Sequence, residues 1–600
     1  MSDSELPFAG NPGSEVPRLV STEKGFTIFY KNKFLYSKYN PEKVAVSITE
    51  KAEINAGTLI LCYSPCLWYG LKELLKKIKK DCFILGIEAD KNLYEIAKKT
   101  LNEKLNSISE KKNTSEKHDS KQIPIAILNP DEIKNIVSVI QNGTYFTPDE
   151  NRCNVPVFKI RCVQTLALSG GTIFNKELYD KITFYTQKTV AAFWKNRLTL
   201  VKLGRLFSRN LFRNLIFIAE SKSRAKKNIK ISDFAEFAKS IEKPILAFGA
   251  GESTGIFFSH AHKRILKNCF IISVDTALSV LLQSGINPDA VVALESQLAV
   301  EKAYIGCTNN NFLLFADMTS RNQIPRFIKG KTVFFTSQYC DAAFFDKMRN
   351  DGILPTIFPP LGSVGLSAVF IALKLRKNDS IPVFTVGLDF SFSAGFTHTR
   401  GTCAHTERLF RSTKLFPVTN YAPAFSESSI PLKTKNGKTI FTEPNLFSYA
   451  EQFADIFYGS KNLFSLSDFG LDLKIPFCSI QKFEQFCESF LQKNPDEQQK
   501  THNLQHYAET EIEKIKTFIK NETAALNRIK NLLINGNNAF PPPEISLHRE
   551  LEKLLKDREY LYLHFPDGFS PDATNIGFLK RVRSEIDFFL KDFSRIESIC

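Results

Sequence analysis

Between residues 240 and 390, short apolar runs of strand length alternate with stretches of helical periodicity. The runs are Pro244–Phe248, Cys269–Val274, Ala290–Leu294, Phe312–Ala316, Lys331–Phe335 and Pro382–Val386. Strands that alternate with helices form a mostly parallel sheet with helices on both faces, because parallel neighbours need a crossover connection. This part of the sequence therefore predicts a doubly wound, Rossmann-like α/β domain, which we place at residues 239–485.

A chain of 600 residues exceeds one hydrophobic core, so further domains are expected on both sides. We predict a flexible arm at residues 1–22, an N-terminal α/β domain at 23–190 and a basic helical connector at 191–238. Helical periodicity dominates the end of the chain, which predicts a helical domain at residues 500–600.

The N-terminal domain contains a βαβ-like pattern with strands at Thr58–Tyr63 and Cys82–Ile87 and a helix at Leu67–Ile78. Glu88 follows the second strand, where a Rossmann site places its ribose ligand. The preceding turn is Ser64-Pro65-Cys66, which lacks the glycines that let a phosphate approach the backbone. We interpret this module as Rossmann-like but degenerate, without a bound nucleotide.

Composition excludes several classes of protein. The N-terminus has no apolar signal region, no apolar run is long enough to span a membrane, and the twelve cysteines form no CxxC pair. These features predict a cytoplasmic protein with reduced thiols. The net charge of +16 is spread along the chain without a nucleic-acid motif, so no nucleic-acid partner is expected. The densest basic run, 193–230, is interpreted as a solvated helix face, with contact to an anion or a partner as the alternative.

The end of each predicted strand indicates where the chemistry lies, because parallel sheets bind ligands at the carboxyl ends of their strands. The first strand is followed by a glycine turn that enters a helix, and this turn contains Gly249, Gly251, Glu252 and Ser253. Free N–H groups at such a helix N-terminus favour a phosphate. Taken alone the turn is a weak signal, because it lacks the lysine of a Walker A loop.

Acidic residues stand at four further strand ends. They are Asp275 (followed by Thr276), Glu295, Asp317 and Asp389. Clustered carboxylates repel one another unless a cation, a hydroxyl group or a proton relieves the repulsion, so together they predict a functional cleft. Each of them alone is more simply an N-cap of the next helix.

Two further elements complete the predicted site. A second small-residue turn, with Gly362 and Ser363, opens another helix and can approach a nucleotide from the opposite side. His398 lies in a turn-rich segment after the Asp389 strand and is a candidate general base.

These motifs resemble the central domain of motility accessory factors (Maf proteins), a domain shared with 6-hydroxymethylpterin diphosphokinases of the MptE-like type. The matching segments are Gly249–Ser253, Ile272–Ala277, Leu281–Asp289, Gly362–Val364, Val386–Asp389 and Thr397-His398. Asn436-Gly437 with Thr442 and, upstream, Tyr36–Pro41 resemble other blocks of the same flagellin-modifying proteins.

The resemblance implies a glycosyltransferase that moves a nonulosonic acid from a CMP-activated donor to Ser or Thr of flagellin. It implies that the 249–255 loop and Asp275-Thr276 hold the nucleotide and that Gly362-Ser363 line the donor. Glu295 and Asp317 complete the expected binding set, and Asp389 and His398 are the expected catalytic residues. The resemblance assigns no certain cofactor: the CMP-activated sugar is a substrate, Mg²⁺ is a candidate ion, and no metal ligands are assigned.

Two departures from the family leave alternatives open. The stretch 402–430, which carries Cys403, His405 and many aromatic residues, does not align with the family, so the choice of donor stays open. The first turn reads Gly-Glu-Ser where relatives have Gly-Pro-Ser, so Glu252 points away, helps to bind a cation or weakens the site. The alternatives to a glycosyltransferase are a Mg²⁺/ATP-dependent pterin pyrophosphokinase and a non-catalytic flagellar assembly protein.

Overall fold

The structure is a computed structural model. It describes residues 16–112, 124–128, 130–136, 138, 140, 144–146, 152–154, 157–221, 231–307, 309–417, 419–434, 437–493, 509–534 and 545–597. The chain divides into two compact units, residues 1–199 and 200–600. Some segments of the sequence lie outside the described residues. They are residues 1–15 of the predicted arm, 113–121 of a polar insertion, 222–230 of the basic run, Asn436 and the prolines at 541–543. The finer domain boundaries given above stay predictions.

The first unit combines a small antiparallel sheet with a parallel one. Its strands are β1 (Arg18–Thr22), β2 (Gly25–Tyr30), β3 (Lys33–Phe34), β4 (Thr58–Tyr63), β5 (Phe83–Ile87), β6 (Ile125–Leu128), β7 (Thr144–Phe146), β8 (Arg152–Asn154) and β9 (Cys162–Ala167). Its helices are α1 (Lys43–Lys51), α2 (Leu71–Lys77) and α3 (Lys91–Lys112), and α4 (Lys176–Glu220) continues into the second unit. The last residues of the predicted arm thus form strand β1.

The parallel sheet of the first unit has the strand order β6-β5-β4-β9. Strand β4 is buried at every position, and it pairs on one side with β5 and on the other with β9. The predicted strands at 58–63 and 82–87 are confirmed. The chain moves from β4 outward to β6 and then returns to the other side of β4, so the order reverses between β4 and β9.

The second unit is built on one large parallel sheet. Its strands are β10 (Ile231–Asp233), β11 (Ile245–Phe248), β12 (Phe270–Val274), β13 (Ala290–Ala293), β14 (Leu313–Asp317), β15 (Thr332–Ser337), β16 (Ile357–Phe358), β17 (Val383–Val386), the hairpin pair β18 (Ile430–Lys433) and β19 (Thr439–Thr442), and β20 (Leu463–Ser465). Its helices are α5 (Glu252–His260), α6 (Lys263–Leu266), α7 (Asp275–Gln283), α8 (Ile324–Phe327), α9 (Ala343–Asn350), α10 (Val364–Leu375), α11 (Cys403–Phe410), α12 (Pro444–Phe457), α13 (Ile480–Lys493), α14 (Glu509–Ile534), α15 (Ile545–Lys556) and α16 (Ile576–Glu597).

The large sheet runs β10-β15-β14-β13-β12-β11-β17-β20, with β16 paired to β15, and all of these pairs are parallel. The six apolar runs predicted as strands are all strands of this sheet, and the doubly wound fold is confirmed. Strand β11 lies between β12 and β17, so the strand order reverses between β11 and β17. That crevice is the switch point at which this type of sheet binds its ligands.

Both faces of the large sheet are covered, because alternate residues of its strands belong to different cores. Val291 and Ala293 pack in a core with the C-terminal helices, whereas Ala290 and Val292 pack in a core with helix α10. The helices predicted from residue 505 onward are confirmed as α14, α15 and α16, and they share the first of these cores with the sheet. The predicted helical domain therefore packs directly on the sheet of the second unit.

The interpretation of the basic run as a solvated helix face was wrong for Arg209 and Arg213. They pair with Glu585 and Asp592 of helix α16, and both acids are nearly fully buried. The positive charge of these two arginines therefore serves the packing of helix on helix within the second unit, whereas Lys195, Lys202 and Arg205 of the same run are exposed. None of the described helices is both long and apolar enough to cross a membrane.

Candidate functional site

The switch point of the large sheet brings the ends of β11 and β17 into close backbone contact. Gly249 N donates to Val386 O, and Gly251 N donates to Gly387 O. A Cβ atom at position 249 would lie 2.2 Å from Gly387 O, so only glycine allows this approach. The first glycine turn is therefore shaped by the neighbouring strand end.

Asp389 lies beneath this turn and closes the N-terminus of helix α5. Its side chain is 3% exposed. Ser253 N donates to Asp389 Oδ2 at 2.9 Å, and the Ser253 hydroxyl donates to Asp389 Oδ1. Burial raises the pKa of Asp389 to about 7. The expectation of free N–H groups at this helix start is corrected by these contacts, because Asp389 takes the place that an anion would occupy.

The second glycine turn reaches the same strand end. A Cβ atom added at Gly249 or at Gly365 would lie 2.6 Å from Leu388 Cδ2, so both glycine turns pack against Leu388. Ser363 caps helix α10 by accepting from Leu366 N at 3.3 Å, and Gly362 N donates to Gln452 Oε1. The structure thus brings together the two turns that the sequence separates by more than a hundred residues.

The other acids at the strand ends have different surroundings. Asp317 is fully buried and accepts from Thr319 N and Ser337 N, so its oxygens hold the ends of β14 and β15 together. Glu295 is exposed and accepts from Gln297 N in its own loop. These contacts account for the presence of both acids at the strand ends without a bound ligand.

Asp275 differs from Asp317 because one of its oxygens has no partner. Asp275 Oδ1 accepts from the N–H and hydroxyl groups of Thr276, while Asp275 Oδ2 is buried without a hydrogen bond. Burial, with a smaller contribution from the charge of Glu295, raises the pKa of Asp275 to about 6. Among the strand-end acids described here, Asp275 is the one with a buried side-chain oxygen that has no hydrogen-bond partner.

No group of three or more His, Cys, Asp or Glu side chains among the described residues is arranged to hold a metal ion. The repulsion expected among the strand-end acids is relieved mainly by hydrogen bonds from backbone N–H and hydroxyl groups. A role for Mg²⁺ stays a prediction.

The segment after Asp389 folds over the first turn. Glu252 Oε2 accepts from Ser393 N, so the acid of the Gly-Glu-Ser turn contacts this segment. Thr399 N donates to Ala250 O at 2.9 Å. The carboxylate of Glu252 therefore helps to hold the covering segment in place.

His398 lies in this covering segment and is half-buried. Burial, together with the neighbouring charges of Arg408 and His405, lowers the pKa of His398 to about 4. Its ring is therefore neutral at pH 7, and the lowered pKa makes it a weaker base than an ordinary histidine. Arg408, which donates to Thr397 Oγ1, was not predicted; it lies in the stretch 402–430 that matches no motif of the family.

Two asparagines of helix α4 also escaped the sequence analysis. Asn210 Nδ2 donates to Ser296 O and Thr319 O, and Asn214 Nδ2 donates to Met318 O and Ser320 O. Both side chains are fully buried, and they fix the loops that follow β13 and β14. Their spacing of four residues on one helix face was the signal that could have identified them.

The corresponding edge of the first unit is filled by its own side chains. Glu88 is fully buried and accepts from Ser64 Oγ, Cys66 Sγ, Asp90 N and Tyr179 OH. Burial raises the pKa of Glu88 to about 7 and also raises the pKa of the Cys66 thiol. Ser64 and Cys66 both have positive φ, as expected for a turn forced without glycine. Glu88 therefore holds a strained turn together.

Comparisons with known proteins agree with these features. Residues 219–395 match the family described as 6-hydroxymethylpterin diphosphokinase MptE-like, which confirms that part of the resemblance. An uncharacterised protein of Treponema pallidum (strain Nichols) is 31% identical over 608 residues, covering 98% of this chain and 97% of the relative. A solved structure of a Maf glycosyltransferase from Magnetospirillum magneticum AMB-1 is 13% identical, with a TM-score of 0.49 over 98% of this chain and 92% of that one.

Proposed function

We propose that the second unit is a glycosyltransferase, on the motif resemblance to Maf proteins. The chain carries an MptE-like domain at residues 219–395 and belongs to the same family as the uncharacterised Treponema pallidum protein. The proposed donor is a CMP-activated nonulosonic acid, and the acceptor is a serine or threonine hydroxyl of flagellin in the cytoplasm. The observation that carries the proposal is the meeting of the two glycine turns on Leu388 at the switch point. The motif resemblance supplies the classes of donor and acceptor.

The phosphate of the donor is assigned to the turn at Gly362 and Ser363. This turn opens helix α10, which has 12 residues, and a helix N-terminus favours negative charge by roughly 0.3–1 kcal/mol. The start of helix α5 is less suited, because Asp389 already accepts from Ser253 N there. The Ser363 hydroxyl accepts from Leu366 N, which leaves its own proton to donate to a phosphate oxygen.

His398 is the general base in this proposal. A neutral imidazole accepts the proton of the acceptor hydroxyl as that oxygen attacks the anomeric carbon and the bond to CMP breaks. A general base contributes about 10²- to 10⁴-fold in rate, and the lowered pKa of His398 places it toward the lower end of that range. In the same proposal Arg408, whose charge lowers the pKa of His398, is a candidate cation for the departing phosphate.

Asp389 acts through the first glycine turn and is a positioning residue in this proposal. Both of its oxygens bind Ser253, so it shapes the turn and is not directed at a substrate. The unpartnered Asp275 Oδ2 is assigned to a hydroxyl or amino group of the nucleotide. Glu295 and Asp317 have no assigned contact with the donor.

A second candidate function is a pyrophosphokinase, which the name of the matching family favours. Such a reaction transfers diphosphate from ATP and needs Mg²⁺ to neutralise the phosphate charge. A third candidate is a scaffold for flagellar assembly, which requires no nucleotide at all.

Calorimetry on the full chain separates these functions. We expect CMP to bind without Mg²⁺ and ATP to bind weakly or not at all. Mg²⁺-dependent ATP binding without affinity for CMP would establish the pyrophosphokinase, and no binding of either nucleotide would favour the scaffold.

The assignment of the base is tested by transfer of sugar to purified flagellin, followed by intact-protein mass spectrometry. His398→Ala is expected to reduce transfer by about 10²- to 10⁴-fold while CMP affinity is retained. His260→Ala is the matched control, because His260 is exposed at the far end of helix α5. Equal transfer by both variants would remove His398 from the mechanism.

A further inference from the structure

An exposed apolar surface adjoins the segment that contains His398. We define the apolar shelf by its six residues, Leu298, Ile305, Leu409, Phe410, Leu415 and Phe416. Phe410 is 85% exposed, Leu415 84% and Phe416 70%. Single exposed apolar residues are common, but a contiguous group of large ones marks an interaction site.

The shelf is a defined structure. Helix α11 ends at Phe410, and a tight turn follows in which Thr413 and Phe416 exchange two backbone hydrogen bonds, each of 3.1 Å. Side-chain contacts connect α11 to the 3₁₀ helix Leu298–Tyr304, because Lys302 pairs with Glu407 at 2.9 Å and Cys403 Sγ donates to Lys302 O. The two elements that carry the shelf residues are therefore in direct contact.

This surface is continuous with the candidate site. Arg408 lies on helix α11 and donates to Thr397 Oγ1 at 2.7 Å, next to His398 in the chain. His405 of the same helix stacks on Phe396, with ring planes 6° apart. A molecule that lies on the shelf therefore reaches the loop of the proposed base.

Charge and shape indicate what kind of molecule fits. Arg411 and Lys414 stand next to shelf residues in the chain and are exposed, as is Arg400. Glu407 is paired with both Lys302 and Arg411. An open depression of about 610 Å³ lies beside Leu298 and Ile305. The depression is lined by apolar residues together with Glu301 and Lys302, and Glu301 pairs with Arg321. An apolar surface with exposed cations beside it suits a polypeptide that carries apolar and acidic residues.

We propose that the apolar shelf docks the protein acceptor and presents one of its hydroxyl groups to the site. This inference rests on the proposed function, since it assigns the place of the acceptor in that reaction. The acceptor segment brings aliphatic or aromatic side chains for the shelf and carboxylates for the exposed cations. Binding is therefore weakened by salt as well as by loss of the phenylalanines.

The test uses the full chain, purified flagellin monomer of the same organism and no donor, so that binding is measured apart from catalysis. The double variant Phe410→Ser, Phe416→Ser is expected to bind flagellin at least about 10-fold more weakly, because large buried aromatic side chains dominate protein interfaces. Its affinity for CMP is expected to be unchanged. Tyr458→Ser is the matched control, because Tyr458 is 81% exposed and precedes edge strand β20, whereas the shelf residues follow the carboxyl ends of β13 and β17.

Several results would overturn the assignment of the shelf to the acceptor. Flagellin could bind the double variant as tightly as wild type, or not bind wild type at all. Alternatively, the double variant could lose a self-association that wild type shows, or could fail to bind anionic lipid vesicles that wild type binds. The last two would assign the surface to a second copy or to a membrane.

The outcome is separable from the proposed function. Wild type that binds flagellin through the shelf but transfers no sugar would refute the glycosyltransferase and leave the docking surface in place. A double variant that transfers sugar with an unchanged KM for flagellin would refute the shelf and leave the glycosyltransferase in place.

Discussion

Replacing Gly251 by alanine tests the contact between the first glycine turn and Asp389. The backbone at Gly251 has φ −71°, which alanine adopts without strain, so the effect depends on space alone. A Cβ at this position would lie 2.4 Å from Asp389 Oδ2 and 2.8 Å from Gly387 O. Neither neighbour can retreat without losing a hydrogen bond to Ser253 or to the turn itself.

The expected cost combines overpacking, about 1–3 kcal/mol, with a weakened hydrogen bond to a carboxyl group, about 1.5–3 kcal/mol. Because the two overlap, we expect local opening of the turn to become easier by about 2–4 kcal/mol. A tenfold change in the opening equilibrium corresponds to about 1.4 kcal/mol. Amide exchange of the peptides at 249–256 and 385–392 should therefore be about 30- to 1,000-fold faster.

The assay is hydrogen exchange followed by mass spectrometry, with Gly577→Ala as the control. Gly577 lies in the first turn of helix α16, and the nearest atom to an added Cβ is the side-chain oxygen of Asn575 at 3.3 Å. That variant should leave the 249–256 and 385–392 peptides unchanged. If Gly251→Ala also exchanges like wild type and binds CMP with wild-type affinity, the turn and Asp389 are not in the contact described here.

Other variants test the remaining parts of the structure. Glu88 has its pKa raised to about 7 by burial, so its contribution to stability is present below pH 4.5 and is lost as the pH rises through 7. Glu88→Gln should remove this pH-dependent loss of stability, which amounts to roughly 3 kcal/mol. The measurement is urea unfolding followed by the fluorescence of Trp68 and Trp194, because both tryptophans lie in the first unit. A wild type with flat stability between pH 4.5 and 8 would contradict the assignment. Glu585→Ala should destabilise the second unit by about 2–3 kcal/mol, because Arg209 loses its buried partner. The measurement is urea unfolding followed by circular dichroism. A change below about 0.5 kcal/mol would show that the pair contributes little.

Much of the second unit follows from its sequence. The apolar runs at 244–248, 269–274 and 290–294 are short, uninterrupted and separated by helical stretches, which is the pattern of strands buried on both faces. Acids and glycines that follow such strands must gather at one edge of the sheet. The meeting of Gly251, Asp389 and the Gly365 turn there was therefore predictable from topology.

The roles of individual side chains were not predictable, because they depend on contacts across the chain. Asp389 binds Ser253, 136 positions away, and Asp317 binds the backbone of Ser337 in the next strand of the sheet. Arg209 looked like a solvent-facing cation because its partner, Glu585, lies 376 positions further along the chain. Local periodicity contains no information about such pairs.

The location of the nucleotide in a crystal of the full chain soaked with CMP tests the central claim most directly. We expect its phosphate beside Gly362 and Ser363, with the nucleoside extending along the rim toward Asp275. Density for CMP at the Ser64–Cys66 turn of the first unit, or at the amino ends of the large sheet, would contradict the account.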